Sequence, residues 1–261
     1  MLPMAGIMPR ATRYESTMSG TRSINTAFVA GATGYTGRYV VAALAAGGTR
    51  TTAHVRPDSP RLGAWREHFA KLGVKVDSSP WQPDSMREAL HHAAPEAIFS
   101  LLGTTRARAR TSSESGESYE TVDLGLTVLL MEAAVAASAA LARAPLFVYL
   151  SAIGAGLRRG GYLRARWNAE QALEASGLPF VIARPSLITG PDRDDSRPGE
   201  RVAAGLTNGV AALAKAVGAR HTQGRLRSLT GQELATALVA AAQDPAARGR
   251  ILDAEHLRAQ R

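Results

Sequence analysis

The stretch INTAFVAGATGYTGRYVVAAL, residues 24–44, runs from a short apolar segment through three glycines spaced three apart into an amphipathic segment. The apolar run TAFVAG predicts a strand over 26–31, and the pattern that follows predicts a helix over 35–46. Between them, GATGYTG sets Gly31, Gly34 and Gly37 in GxxGxxG spacing. A strand that turns directly into a helix needs a residue without a Cβ at the turn. The N–H groups at the helix start then point outward and attract a pyrophosphate, and Thr33 and Thr36 add hydroxyl donors. A glycine loop can also be a plain turn. Its place between a strand and a helix, opening a βαβ unit, makes a phosphate cradle the reading.

Working outward, further strands are predicted at 50–56, 73–77, 97–103, 145–152 and 180–187, with helical patterns at 60–71, 84–93, 117–142 and 163–176. The strands are continuously apolar rather than alternating, as in a parallel sheet covered on both faces. Right-handed crossovers then give an α/β, doubly wound Rossmann fold. Residues 1–23 lack periodicity and read as a disordered tail, leaving 24–261 as the dinucleotide-binding domain. Within it, 188–249 reads mainly as a small substrate-side lobe: a polar loop, then helices near 200–218 and 231–243. A final strand follows at 250–254.

Composition narrows the function classes. The chain of 261 residues is 45% hydrophobic and contains no cysteine, and its six histidines show no HxxxH spacing, so no metal is expected. The net charge of +9 comes almost wholly from arginine, since only Lys71, Lys75 and Lys215 are lysines. Two clusters stand out, TTRARAR (104–110) and LRRGGYLRAR (157–166). Charge alone gives non-specific attraction, so a small phosphate-bearing molecule is a better partner for these arginines than nucleic acid. The most apolar stretch, 126–146, is broken by Glu132 and Arg143. No membrane span or secretory signal is expected, and the expected location is cytoplasmic.

The second strand ends in AHVRP, nineteen residues after Gly37. An acid there would accept from the ribose 2′-hydroxyl of NAD; an arginine pairs with the 2′-phosphate of NADP. Arg56 holds the position, which points to NADP(H).

Five segments then carry a family likeness: AGATGYTGR, SLLGTTR (100–106), YLSAIGAG (149–156), LPFVIARPSLITG (178–190) and SRPGE (196–200). In order and spacing they resemble the atypical short-chain dehydrogenases/reductases, the NAD(P)H-binding, NmrA-like group, and most of all its Tat-interacting-protein type. The resemblance implies that Gly31, Thr33, Gly34, Tyr35 and Thr36 surround the pyrophosphate and that Asp77 lies by the adenine. It places Leu102, Gly103 and Thr104 at the ribose, and Pro185 and Leu187 beside the nicotinamide.

Catalysis in this family uses a Tyr-x-x-x-Lys pair on a helix and a serine from the preceding strand. The corresponding residues are Tyr162, with Arg166 where lysine is expected, and Ser151. The pair lies one helical turn apart and so shares a face. Arginine keeps the positive charge but lacks the compact lysine contact with two ribose hydroxyls. Two functions follow from the resemblance. One is an NADP(H)-dependent oxidoreductase acting on a small molecule, with Tyr162 as acid/base. The other is a non-catalytic NADP(H)-sensing protein with a protein partner. The substrate and the oligomeric state are not legible.

Overall fold

In the computed structural model, residues 23–103, 119–141, 143–189 and 228–260 are described. The expected helix at 200–218, the TTRARAR and SRPGE segments, Thr104 and residues 1–22 lie outside them. Five strands and their crossover helices follow the expected order: β1 Thr26–Ala30, α1 Tyr35–Ala46, β2 Arg50–His54, α2 Leu62–Ala70, β3 Lys75–Asp77, α3 Pro83–Ala93, β4 Ala97–Ser100, α4 Leu126–Leu141 and β5 Leu146–Leu150. Next come α5 Gly160–Ala175, β6 Phe180–Arg184, short β7 Ile188–Thr189 and β8 Leu229–Thr230, α6 Gly231–Gln243, β9 Arg250–Asp253 and α7 Ala254–Ala259.

The main sheet has seven parallel strands in the order β3-β2-β1-β4-β5-β6-β9. Strand order reverses between β1 and β4, and the crevice outside their carboxyl ends is where such folds take ligands. Alternate side chains of the strands feed two cores, as a pleated strand covered on both faces requires. Val29, Phe99, Val148 and Val181 pack toward α1 and α6. Phe28, Ile98, Phe147 and Ile182 pack toward α3, α4 and α5.

Two helices complete the layers of the sandwich. The described part of the anticipated substrate-side lobe, α6, is a layer of this sandwich: Leu234, Leu238 and Ala241 are fully buried in the α1-side core. Its start is fixed by a capping box between Thr230 and Glu233. Tyr35 and Tyr39 of α1 close directly over Gly231, where a Cβ would sit 2.6 Å from the Tyr35 ring. The helical run Glu120–Leu141 is, by length and composition, long and apolar enough to cross a membrane. In the fold its buried row of Leu130, Met131, Ala134 and Ala137 faces the second core.

The turn from β1 into α1 explains two of its glycines sterically. Gly31 adopts φ +81°, and a Cβ on it would lie 2.6 Å from the Leu101 carbonyl oxygen. A Cβ on Gly37 would lie 2.1 Å from the Gly31 carbonyl oxygen. Gly34 is different: its φ is −70°, it is exposed, and a Cβ would meet only Gly31 O, at 3.2 Å. Gly37→Ala is therefore expected to destabilise the fold by about 1–3 kcal/mol or more, as overpacking does. Gly34→Ala should leave the denaturation midpoint nearly unchanged. Chemical denaturation of both variants checks this, and equal midpoints would contradict it.

Candidate active site

The first turn of α1 begins at Gly34 with no side-chain cap and no acidic residue. Its outward N–H groups and dipole suit an anion, and no carboxylate on that turn competes for them. Thr36 is buried in the turn and Thr33 is half-buried at its mouth. Tyr35 reaches away from the loop, its hydroxyl donating to the Thr189 carbonyl at 3.2 Å. Arg56 follows β2 with its side chain 39% exposed, and its Nε stands 3.7 Å from Asp58 Oδ1. Asp58, two residues on, is an acidic neighbour that the position-by-position reading passed over.

Asp77, at the end of β3, folds back on its own turn. Its carboxylate accepts from the Ser79 N–H at 3.1 Å and from the Ser79 hydroxyl at 3.0 Å. Next to it His54 is buried, and burial lowers its pKa against the opposing pull of the Ser79 carbonyl and Asp77. Its neutral Nε2–H donates to Ser79 O at 2.9 Å, and Trp81 packs edge-on at 4.7 Å. His54 and Trp81 were not singled out from the sequence, because a single histidine in an apolar strand gives no periodic signal. The open glycine turn, the half-exposed arginine after β2 and this aromatic wall together fit a dinucleotide laid along the carboxyl ends of β1–β4.

Toward the other half of the sheet, contacts are close. A Cβ on Gly103, just past β4, would lie 2.6 Å from Arg166 Nη2. Arg166 is only 6% exposed. Its Nη2 lies 2.6 Å from Asp123 Oδ1, and its Nη1 donates to Leu150 O at 2.7 Å and to the Tyr149 hydroxyl at 3.3 Å. Its Cζ stands 5.3 Å from the Tyr162 ring centre and 5.7 Å from that of Tyr149. Burial alone would disfavour the charge, but Tyr149, Tyr162 and Asp123 hold the guanidinium firmly protonated. Burial also pushes the Tyr149 phenol up to about 12, so it stays neutral. Arg166, expected at the cofactor ribose, is thus held by protein groups on three sides.

Asp123 was missed at the sequence level. It is fully buried and sits on a π-helical turn, Tyr119–Gly125, that leads into α4. Such turns recur at functional sites. Sharing its helical run with Glu120 and Glu132, Asp123 carried no distinguishing signal in the sequence.

Ser151 is also engaged. Its hydroxyl donates to Glu170 Oε1, and Glu170 has no exposed surface. Arg184 closes the network from β6, its Nε donating to the same oxygen at 2.9 Å and its Nη2 to Oε2. Pro185 is buried, its carbonyl accepting from the Ile153 N–H, and the Leu187 carbonyl accepts from Leu229 N–H.

The buried Arg166–Asp123 pair gives a stability test. Removing one partner strands the other charge in the interior, so Arg166→Met alone should cost about 3–5 kcal/mol. Arg166→Met with Asp123→Leu should cost much less than the two single changes summed. Urea denaturation of the cycle measures the coupling, and additive costs would show that the pair does not act as one.

A family model described as NAD(P)H-binding matches residues 31–245. Protein fmp52, mitochondrial, of Emericella nidulans is 28% identical over 217 residues, covering 77% of this chain and 88% of that protein. The protein of the same name from Aspergillus niger is 30% identical over 183 residues, covering 67% and 71%. Both names carry a mitochondrial designation, whereas the expectation for this chain was cytoplasmic. Among solved structures, UDP-glucose 4-epimerase from Thermotoga maritima shares the fold, with a TM-score of 0.61, 15% identity, and coverage of 86% of this chain and 75% of that one. The glycine turn matched by the family model is the one whose open helix start faces the crevice, and the chain belongs to the NAD(P)H-binding family.

Proposed function

We propose that the protein is an NADP(H)-dependent oxidoreductase of the atypical short-chain dehydrogenase type, within its NmrA-like group, acting on a small carbonyl compound or alcohol. One observation carries the reading: a run of contacts links the cofactor strand to the acid/base tyrosine. The glycine turn abuts Leu101 just past β4, Gly103 abuts the Arg166 guanidinium, and that guanidinium lies 5.3 Å from the Tyr162 ring. These contacts support Tyr162 as the acid/base at the crevice.

When bound, the nicotinamide supplies or accepts a hydride at its C4 carbon. The chain's residues do the rest. In the reducing direction the Tyr162 hydroxyl would give its proton to the substrate oxygen, and water would return the proton to the half-buried phenol. Arg166 orients the ring and keeps a positive charge beside it. Ser151, whose proton goes to Glu170, keeps lone pairs with which to accept from a substrate hydroxyl. Arg56 selects NADP(H), exchanging its long contact with Asp58 for the 2′-phosphate.

The competing reading, a cofactor-sensing protein without turnover, draws on the same geometry. Arg166 and Ser151 are both spoken for by buried acids. Titration and turnover separate the two. Arg56→Ala should weaken NADPH binding about 10- to 100-fold, the worth of a lost charged contact, and leave NADH binding little changed. Equal effects on both cofactors would take Arg56 out of the site. Tyr162→Phe should lower NADPH oxidation about 10²- to 10⁴-fold across aldehydes, ketones and quinones while NADPH affinity holds. Turnover indifferent to that change would exclude Tyr162 as the acid/base, and tight NADPH binding without turnover in any variant favours the sensor.

A further inference from the structure

The arginine cluster at 157–166 has no part in the mechanism above beyond Arg166, yet the fold gives another of its members a definite place. Past β5, a 3₁₀ turn at Ala155–Leu157 ends on Arg158, whose φ of +53° is a left-handed conformation that non-glycine residues rarely adopt. That turn aims the exposed Arg158 at the half-buried Trp167 of α5, with its Cζ 5.4 Å from the ring centre. Arg184, at the end of β6, approaches the same indole at 5.9 Å. Two cations therefore converge on one aromatic ring, at the carboxyl edge of the sheet and next to the Ser151–Glu170 network.

Arg184 is answered along one edge by Glu170 and at longer range by Glu174, which leaves its other edge without a partner among the described residues. Glu170 occupies the Nε–Nη2 edge of Arg184. A guanidinium carries five N–H groups, so the Nη1–Nη2 edge remains, and Nη1 has no hydrogen-bond partner among the described residues. Asp253, the register partner of Arg184 on β9, spends its carboxylate on the N–H groups of Glu255 and His256 at the start of α7. Arg158 has no carboxylate partner among the described residues. An outward-facing guanidinium fork with a second cation across an indole matches a planar carboxylate.

We infer that the substrate carries a carboxylate, received by the open edge of Arg184 and by Arg158 beside Trp167, with its reacting carbon next to Ser151 and Tyr162. This deepens the oxidoreductase reading and rests on it: the substrate class becomes oxo acids or hydroxy acids rather than neutral carbonyl compounds. Glu170 then serves two residues at once, setting the Ser151 hydroxyl and holding the Arg184 fork in one orientation.

The test is calorimetry on the full chain with phenylglyoxylate and its methyl ester, which differ in the charge, run with and without saturating NADP⁺. The acid is expected to bind about tenfold tighter than the ester. Arg158→Gly, which suits the left-handed backbone and so keeps the turn, should remove most of that preference; Arg158→Lys should retain it. Arg184→Lys keeps a cation for Glu170 but loses the fork, and should also lower the preference. Equal binding of acid and ester, no binding of the acid, or a preference unchanged in both Arg158→Gly and Arg184→Lys would overturn the inference. The NADP⁺ titration that precedes each run reports on the cofactor alone. Failure there with the acid preference intact would count against the oxidoreductase, and normal NADP⁺ binding without the preference would count against the carboxylate site only.

Discussion

A guanidinium with almost no access to water must be answered inside the protein, and both terminal nitrogens of Arg166 are answered from several elements, while its buried Nε has no hydrogen-bond partner among the described residues. Asp123 comes from the π-helical turn, and the Leu150 carbonyl and Tyr149 hydroxyl come from β5. Each partner stands at the carboxyl edge of the sheet, so satisfying one buried charge fixes how the turn before α4, the end of β5 and the start of α5 meet. Gly103 is part of the same constraint, because any side chain there would strike Arg166 Nη2. The shape of the crevice between β4 and α5 follows from that single charge.

Arginine where the resembled short-chain dehydrogenases carry lysine makes sense in these terms. An ammonium on a flexible stem can be served by a cofactor's ribose hydroxyls, whereas a planar five-donor fork needs acceptors set in its plane. Here the protein supplies a carboxylate and a carbonyl. Under the proposed function, the cofactor's grip would then rest more on the glycine turn and the arginine after β2 than on α5.

The sequence read well where local pattern decides structure. Continuous apolar strands such as Thr26–Ala30 and the glycines at 31, 34 and 37 announced the sheet, its parallel order and the tight turn into α1, since these depend on period and backbone freedom alone. It read poorly where a side chain's role depends on a distant partner. Asp123 and Glu170 look like ordinary helix residues until the fold brings Arg166 and Arg184 against them. Ser151 and Arg166 were singled out as catalytic candidates, but their engagement by buried acids has no signature in spacing. Likewise the small-residue pattern of Gly231–Gln243 announced a helix without saying which layer it joins; the packing of Tyr35 and Tyr39 on Gly231 decides that.

The π-helical turn over Tyr119–Gly125 has a bearing on how such a site could arise. A π turn is an α-helix with one residue too many, and successive helical residues are rotated by about 100°. Deleting one residue from the turn would restore regular winding and swing Asp123 out of line with Arg166 without disturbing the core row of α4. Charge compensation here is thus written in chain length as well as in residue identity. In related chains, a one-residue gap at this turn and a lysine at the Arg166 position should be gained or lost together.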